Sequence, residues 1–222
     1  MNCLVTAGPT FEPLDKVRRL TNFSTGRLGT ELANHLADNG CRVTLLIGEQ
    51  ATWPGPRRAQ SVTTFTTGTD LQNRLRALAN PSVDAVFHAA AVGDFTFGRV
   101  WLRPEDGEDV EVKSDKITTR EGRLMAELIP TQKILPQLRG WFPRARIVGW
   151  KFEVGGSPAE VLELARRQLA EARTDACVAN GPAYGEGFGI VTGSGHTHLS
   201  DALALFAACE SLVKGRDRNW AC

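Results

Sequence analysis

The chain has 222 residues and a mass of 24.1 kDa, a length that favours one large domain, residues 1–222, over two small ones. Hydrophobic residues make up 42% and charged residues 23%, which excludes wholesale disorder. The net charge of +1 gives no reason to expect a nucleic acid or a membrane surface as partner, and no apolar run reaches membrane-spanning length. The five cysteines show no C-x-x-C spacing and no signal peptide precedes them, so we expect free thiols in a cytoplasmic protein.

Short apolar runs alternate with amphipathic stretches through the first 91 residues. The predicted elements are strands at 2–6, 41–47, 61–66 and 83–91 and helices at 25–39 and 69–79. Thr69 or Asp70 is the expected cap of the second helix, and Gly40 is expected to end the first. Repeated strand–helix–strand units of this length predict a doubly wound α/β domain with a mostly parallel sheet covered on both faces.

The pattern breaks between Gly93 and Arg123, a stretch rich in charge, glycine and turn residues, where only 110–112 alternates like an exposed strand. So long a stretch with so little core predicts a projecting flap with a role in function or partner contact. Beyond it, the predicted elements are an apolar segment at 124–129, helices near 131–138, 158–173 and 199–214, and strands at 146–152, 176–179 and, at an edge, 189–192. His196 and His198 alternate in an exposed segment and predict a surface role rather than a metal site.

The turn after the first strand carries the components of a phosphate site. Gly8 follows the strand, and Gly26 and Gly29 at the start of the next helix would let backbone approach a ligand. Ser24 and Thr25 are able to cap that helix and to bond phosphate oxygens. A capped helix with packing glycines and no ligand is the alternative interpretation.

Several common nucleotide and catalytic motifs are missing. The first strand is not followed by G-x-G-x-x-G, there is no P-loop, and the sole tyrosine, Tyr184, has Phe188 rather than lysine four residues later. No nucleophile elbow supports a serine nucleophile. An NADPH-dependent reductase of Rossmann type stays open, because Glu49 beyond the second strand is placed to hold a ribose. A non-catalytic nucleotide-binding protein also stays open.

Seven segments occur in the order found in phosphopantothenoylcysteine synthetases, and the chain resembles that family over nearly its whole length. They are VTAGPT (5–10), EPLD (12–15), VRRLTNFSTGRLG (17–29), AAAVGDF (89–95), DKI (115–117), WKFE (150–153) and AN (179–180). No flavin decarboxylase domain precedes them, so the resemblance is to the free-standing form and no flavin is expected. Segment 129–133 departs from the Lys-Asn-Pro of many bacterial members, and 22–24 and 150–153 are similar to eukaryotic members, so ATP and CTP both stay open.

The resemblance implies a Rossmann-like fold, a flap that serves dimerisation and the active site, and a ligase of coenzyme A biosynthesis. The carboxylate of 4′-phosphopantothenate would attack the α-phosphate of ATP or CTP with release of pyrophosphate, and the amine of L-cysteine would then attack the acyl-nucleotide. Positioning and charge neutralisation suffice for this chemistry, so no covalent nucleophile is needed. Mg²⁺ is expected on the triphosphate, with unknown protein ligands.

The same resemblance assigns roles to individual residues. Those implied in nucleotide binding are Gly8, Ser24, Gly26, Gly29, Trp150 and Asn180. Asn22 would stabilise charge on the substrate carbonyl oxygen, and Lys116 in the flap would close over the triphosphate.

Further residues are assigned to the acid substrate. Ala90 and Ala91 would form a wall of the site, and Asp94 would face polar groups of pantothenate or the metal. In the homodimer that the family implies, Arg18 would reach the partner's active site and meet the substrate phosphate, a task that suits a guanidinium group. A surface arginine without such a role is the alternative.

Overall fold

The computed structural model describes residues 1–104, 107–118 and 122–215. The strands in chain order are β1 (Asn2–Ala7), β2 (Phe11–Pro13), β3 (Arg19–Thr21), β4 (Arg42–Gly48), β5 (Ser61–Phe65), β6 (Ala85–His88), β7 (Phe95–Arg103), β8 (Val110–Glu111), β9 (Arg123–Pro130), β10 (Arg146–Phe152), β11 (Ala176–Asn180), β12 (Phe188–Thr192) and β13 (Gly195–Leu199). The helices are α1 (Arg27–Asp38), α2 (Gly68–Ala77), α3 (Leu135–Trp141), α4 (Pro158–Ala172) and α5 (Ala202–Lys214).

Eight strands form one central sheet in the order β13-β12-β11-β10-β6-β1-β4-β5. The strands from β5 to β11 are parallel and, numbered along the chain, follow the order 3-2-1-4-5-6 of dinucleotide-binding folds. β12 and β13 complete the sheet as antiparallel strands. The predicted doubly wound, mostly parallel Rossmann-like sheet is therefore confirmed. Because strand order reverses between β1 and β6, a crevice opens at their carboxyl ends.

Alternation of side chains along the strands divides the core into two layers. Val5 of β1 and Phe87 of β6 pack with the buried faces of α1 and α5, and we call this side the α1 face. Leu4 and Val86, their neighbours in sequence, pack with α2 and α3 on the opposite side, the α3 face. α4 covers the α3 face of β11, where Cys177 is buried. Helices thus cover both faces, as the alternating pattern predicts.

Helix starts differ from the predicted caps at two places. α2 is capped by Thr67, whose Oγ1 accepts a hydrogen bond from the backbone N–H of Asp70 at 3.1 Å, and not by Thr69 or Asp70. The N-cap of α1 is Gly26, which has a φ of 79° and no side chain, so capping by Ser24 is wrong. Thr25, the other predicted cap, accepts a hydrogen bond at Oγ1 from the backbone N–H of Arg27 at 3.3 Å, although it does not stand at the N-cap position. Only glycine adopts this left-handed conformation without strain, which explains the residue type at the start of the helix.

The predicted flap is a three-stranded antiparallel sheet that extends past its expected end. β7 pairs with β8 on one side and with β9 on the other, and Trp101 lies opposite Met125. The projecting element, which we call the arm, therefore runs from Phe95 to Pro130 rather than ending at Arg123. Residues 105–106 and 119–121 of the predicted flap lie outside the described residues.

Three further boundaries are corrected by the structure. The strand expected at 83–91 ends at His88, α3 begins at Leu135 rather than near 131, and β12 lies between β11 and β13 rather than at an edge. Cys3, Cys41, Cys177 and Cys209 are buried free thiols, whereas Cys222 lies outside the described residues. None of the described helices is long and apolar enough to cross a bilayer.

Candidate functional site

A cleft of about 1090 Å³ runs along the carboxyl edge of the sheet, at the crevice between β1 and β6. Ten of the twelve predicted site residues line it: Gly8, Asn22, Ser24, Gly26, Gly29, Ala90, Ala91, Asp94, Trp150 and Asn180. They come from separate segments at the carboxyl ends of β1, β6, β10 and β11 and at the start of α1. The fold therefore brings most of the predicted site together, at the position where open parallel sheets bind ligands.

The glycines of the first turn are required by packing as well as by access. A Cβ atom at Gly8 or at Gly26, both of which have positive φ, would lie 2.9 Å from the Cβ atom of Ala51. A Cβ atom at Gly29 would lie 2.7 Å from the Cβ atom of Ala7. Because these positions are glycine, α1 packs closely against β1, and the loop after β4 packs closely over the turn. The packing role of these glycines is thus confirmed, and it is compatible with a ligand at the same turn.

The segment after β6 is fixed to the segment after β1 by backbone hydrogen bonds. The N–H of Ala91 donates to the carbonyl oxygen of Gly8 at 3.0 Å, and the N–H of Gly93 donates to Thr10 Oγ1 at 2.8 Å. Asn22 lies above them, and its Nδ2 donates to the carbonyl oxygen of Val92 at 3.2 Å. Because an amide nitrogen carries two hydrogens, Asn22 keeps one N–H for a ligand in the cleft.

An ion pair between Asp94 and Lys133 stands at the mouth of the cleft, where both side chains are 65% exposed. Thr131 fixes the connection between them, since its Oγ1 donates to the carbonyl oxygen of Gly93 at 2.6 Å. Exposed pairs of this kind are weak in water, so a ligand is able to compete for either partner. Lys133 was not predicted as a site residue; its segment drew notice only because it departs from the bacterial pattern.

Trp150 and Asn180 provide unused hydrogen-bonding groups at the far end of the cleft. They lie on the adjacent strands β10 and β11 and on the α1 face, the side on which α1 begins. Nε1 of Trp150 and Oδ1 of Asn180 are buried without a hydrogen-bond partner among the described residues. A buried polar group left unpaired costs about 1–3 kcal/mol, so an unpaired donor and an unpaired acceptor on neighbouring strands favour a polar ligand at this position.

The α3 face contributes cleft residues that the sequence analysis missed, among them Lys151, Arg167 and Gln168. Gln168 donates from Nε2 to the carbonyl oxygen of Trp150 at 3.1 Å and so braces the strand that carries this tryptophan. A signal was present in the sequence, because Gln168 follows the buried Val161 and Ala165 at helical spacing. A polar residue at an inward position of an amphipathic helix indicates a functional or bracing role.

Arg18 and Lys116, the other two predicted residues, do not line the cleft of their own chain. Arg18 Nη2 lies 2.5 Å from Asp15 Oδ2 and donates to the carbonyl oxygen of Ile117 at 2.6 Å. Arg18 and Asp15 thereby tie the turn between β2 and β3 to the arm segment that carries Lys116, whose side chain is exposed. A partner-directed role for Arg18 stays a prediction.

Asp15 is the electrostatic centre of this contact. Burial alone would raise the pKa of its carboxyl group, but the Arg18 side chain and the backbone N–H groups of Val17, Ile117 and Arg18 donate to it and hold the pKa well below its usual range. The carboxylate is therefore ionised at all ordinary pH values. By contrast, Glu49, the residue on which the reductase hypothesis depends, is exposed and is not among the residues that line the cleft.

The strand order and the cleft at its reversal point define the chain as an α/β protein with a Rossmann-like sheet and a candidate ligand site at its carboxyl edge. The family described as the DNA/pantothenate metabolism flavoprotein C-terminal domain matches residues 1–201, and the chain belongs to that family. It is 33% identical over 178 residues to the coenzyme A biosynthesis bifunctional protein CoaBC of Thermococcus kodakarensis, covering 80% of this chain and 40% of that protein. The corresponding protein of Mycobacterium bovis is 31% identical over 221 residues, or 96% of this chain and 50% of that protein.

The chain thus spans half or less of the length of these curated relatives. Among solved structures, the DNA/pantothenate metabolism flavoprotein from Streptococcus pneumoniae superposes with a TM-score of 0.82 at 22% identity, covering 97% of this chain and 99% of that chain. A Cab2 mutant in complex with phosphopantothenate-cysteine superposes with a TM-score of 0.71 at 19% identity, covering 98% and 89%. The fold is shared with both, and the family resemblance predicted from the seven segments is confirmed.

Proposed function

We propose that the chain is a phosphopantothenate–cysteine ligase, which joins 4′-phosphopantothenate to L-cysteine through an acyl-nucleotide in coenzyme A biosynthesis. The observation that carries this proposal is the convergence of ten predicted site residues on one cleft at the reversal point of the sheet. Membership of a family whose relatives are named for coenzyme A biosynthesis supports the substrate class. The Cab2 mutant with the same fold, which was solved in complex with phosphopantothenate-cysteine, supports it further.

The start of α1 is the proposed site of the nucleotide phosphates. The N–H of Arg27 donates to Thr25 Oγ1 at 3.3 Å. The N–H groups of Leu28 and Gly29 have no hydrogen-bond partner among the described residues, so they are able to bind phosphate oxygens beside Ser24 and Gly26. The indole N–H of Trp150 and the amide oxygen of Asn180 would pair with polar groups of the base or ribose. Both groups lie on the same face of the sheet as α1, which lets one nucleotide reach both ends.

The proposed reaction proceeds in two displacements. In the first, a carboxylate oxygen of the acid bonds to the α-phosphorus and the bond to pyrophosphate breaks, while Lys116 neutralises the triphosphate from the arm. In the second, the cysteine nitrogen bonds to the acyl carbon, loses a proton, and nucleotide monophosphate leaves with the electrons of the broken bond. The free N–H of Asn22 would donate to the acyl oxygen as negative charge develops there.

Mg²⁺ is proposed to accompany the nucleotide. Within residues 1–104, 107–118 and 122–215, no group of three carboxylate, histidine or cysteine side chains is placed to hold a metal ion. The residues agree with an ion held chiefly by phosphates and water, as Mg²⁺ commonly is, with the Asp94 carboxylate as its protein contact. When bound, the ion would supply charge neutralisation on the triphosphate.

For the nucleotide itself we favour ATP or a relaxed preference, on the basis of segments 22–24 and 150–153. We further propose a cytoplasmic homodimer in which Arg18 serves the partner's site. If Arg18 acts in this way, mixed dimers of Arg18→Ala and Asn22→Ala subunits each contain one intact site. Random exchange would then restore about a quarter of the wild-type sites, whereas absence of recovery after demonstrated exchange would contradict the role.

One assay tests the ligase proposal directly. Pyrophosphate release is measured with ATP and with CTP, each with and without phosphopantothenate and with and without cysteine. We expect release to require the acid, and the product to require cysteine. Pyrophosphate release that does not depend on phosphopantothenate would contradict the proposal. Nucleotide binding without pyrophosphate release would favour the non-catalytic alternative. Oxidation of NADPH in a parallel assay would favour the reductase.

A further inference from the structure

His88 is a buried histidine that the proposed reaction does not use. It is the last residue of β6, only 7% exposed, and it lines the cleft. Its Nδ1 lies 2.9 Å from Oγ1 of Thr6, the residue opposite it in β1. Thr6 is completely buried. A polar pair at the centre of the crevice, where two apolar side chains would pack better, calls for an explanation.

The hydrogen bonds around Thr6 fix the tautomer of His88. Thr6 Oγ1 accepts a hydrogen bond from the N–H of Ala90 at 3.1 Å. The hydroxyl hydrogen of Thr6 then needs an acceptor, and within the described residues the acceptor in contact is Nδ1 of His88. In the neutral ring the hydrogen must therefore be on Nε2. Burial also lowers the pKa of His88 to about 4, so the ring is neutral at physiological pH.

The Nε2–H group is available to the cleft. It has no hydrogen-bond partner among the described residues. Unlike Nε1 of Trp150, it is not shielded from solvent, since the ring forms part of the cleft wall. Thr6 lies between Val5 and Ala7, which both pack on the α1 face, so Thr6 and His88 point to the α3 face. The donor is therefore on the opposite side of the sheet edge from Trp150, Asn180 and the start of α1.

We propose that His88 is a substrate-binding residue whose Nε2–H donates a hydrogen bond to an acceptor oxygen of the bound ligand. This proposal rests on the proposed function. Its position on the α3 face favours an oxygen of the acid substrate, carboxylate or amide carbonyl, over a phosphate oxygen of the nucleotide. Thr6 is a positioning residue, because it acts by holding the ring in the tautomer that presents the donor.

Two substitutions at the same position separate donation from packing. His88→Gln places an amide N–H near the position of Nε2, whereas His88→Leu has similar volume and no donor. We expect His88→Leu to weaken binding of phosphopantothenate about tenfold, the effect of one hydrogen bond lost to a ligand, and His88→Gln to bind within about threefold of wild type. Calorimetric titrations with phosphopantothenate alone and with nonhydrolysable ATP alone identify which ligand loses affinity, and thermal unfolding shows that the variants fold.

A spectroscopic measurement tests the internal half of the argument without any ligand. Long-range proton–nitrogen NMR correlations of the histidine rings, assigned by the signal lost in His88→Gln, should show the Nε2–H form in wild type. Thr6→Val should mix the tautomers and weaken acid binding.

The Nδ1–H form in wild type would overturn the proposal. So would a His88→Leu variant that binds both ligands as tightly as wild type does. Equal affinities of His88→Leu and His88→Gln for phosphopantothenate would overturn it as well. Loss of affinity for the nucleotide alone would overturn the assignment of the acceptor oxygen to the acid substrate. Absence of pyrophosphate release by wild type would contradict the proposed ligase function. The binding measurements would still decide whether His88 donates to the ligand, because they do not depend on turnover.

Discussion

The floor of the cleft is built from closely packed backbone, whereas the arm is a small sheet whose ion pairs remain in contact with water. In the floor, there is no space for a side chain at position 29. A Cβ atom added to Gly29 would lie 2.7 Å from the Cβ atom of Ala7 and 3.0 Å from the carbonyl oxygen of Thr6. In the arm, Arg103 and Asp109 pair at 2.7 Å while their side chains are 52% and 34% exposed.

The difference separates the two tasks of the proposed ligase site. The floor fixes the position of donors to within the tolerance of its packing, and an added atom must displace backbone. The arm is paired through β7, β8 and β9, but its ion pairs are exposed and individually weak, so its side chains are able to rearrange around a ligand. Substitutions in the floor should therefore change stability together with activity, and substitutions in the arm should change activity alone.

The largest expected effect is that of Asn22→Ala, at the border of the floor. Loss of the donor to the acyl oxygen should slow the second displacement by roughly 10²–10³-fold, which is about 2.7–4 kcal/mol. Acyl-nucleotide should then accumulate and be visible by mass spectrometry. The matched control is Asn73→Ala on the exposed side of α2, which should behave like wild type. Equal slowing of both displacements without an intermediate would contradict the assigned role.

Lys116→Gln tests the arm. A lost charge-assisted contact to the triphosphate should slow the first displacement by roughly 10–100-fold, while the free energy of unfolding changes by less than about 0.5 kcal/mol. Chemically prepared acyl-nucleotide should restore product formation. Lys113→Gln is the control, since Lys113 is exposed in the same arm and pairs with Glu111. If acyl-nucleotide fails to rescue the variant, Lys116 has another duty.

Gly29→Ala tests the packing of the floor. Overpacking against Ala7 should lower the free energy of unfolding by about 1–3 kcal/mol, measured by urea denaturation. Gly140→Ala is the matched control in α3, where an added Cβ atom meets nothing within 4 Å. It should stabilise the chain by roughly 0.5–1 kcal/mol, because alanine loses less conformational freedom in a helix. Equal stability of the two variants would show that the floor relaxes more freely than its contacts suggest.

Two buried groups, His88 in the cleft wall and Asp15 in the turn between β2 and β3, should also lose their contributions to stability in different pH ranges. The pKa of His88 is about 4 in the folded chain and 6.5 normally, so the unfolded chain takes up the proton first as the pH falls. The neutral His88 ring therefore contributes on the order of 3 kcal/mol to the free energy of unfolding. This contribution is complete above pH 6.5 and is lost toward pH 4. Asp15 has a lowered pKa, so its contribution is complete above its ordinary value of 3.8 and is lost below it.

Denaturant titrations at several pH values should show both steps in wild type, the upper step missing in His88→Gln and the lower step missing in Asp15→Asn. Retention of the upper step in His88→Gln would assign that step to another group.

The parallel sheet could be predicted because its strands are buried on both faces and its helices carry leucines at helical spacing, as at Leu32 and Leu36. The projecting flap was predicted, but its pairing of β7 with β9 could not be, because a register shift between Phe97 and Val100 interrupts alternation in β7 and β9 lies beyond a charged stretch. β13 was missed since its outward side chains include His196 and His198 at the edge of the sheet.

The site divides in the same way. Gly8, Ser24 and Asn22 lie in segments whose order is typical of one family, so their convergence could be predicted from that resemblance. Lys133 and Arg167 reach the cleft only because α3 and α4 pack over β10, a tertiary arrangement that no local pattern specifies. His88 carried a signal that was overlooked, a histidine inside the otherwise apolar run of β6.

The pairing of β1 with β6 also has a consequence for the order in which the molecule acquires its structure. Cys3 pairs with Ala85, with two helices and two strands of the sheet between them in the sequence. By contrast, Trp101 pairs with Met125 within the arm, and Thr192 pairs with Gly195 within one hairpin. Contacts distant along the chain form late in folding because a long loop must close first. We expect amides of the arm and of β12–β13 to gain protection before those of β1 in pulsed hydrogen exchange, and simultaneous protection would contradict this order. The crevice, which exists only once β1 and β6 are neighbours, would then be among the last features to form, so ligands of the cleft would bind the completed fold and slow its unfolding.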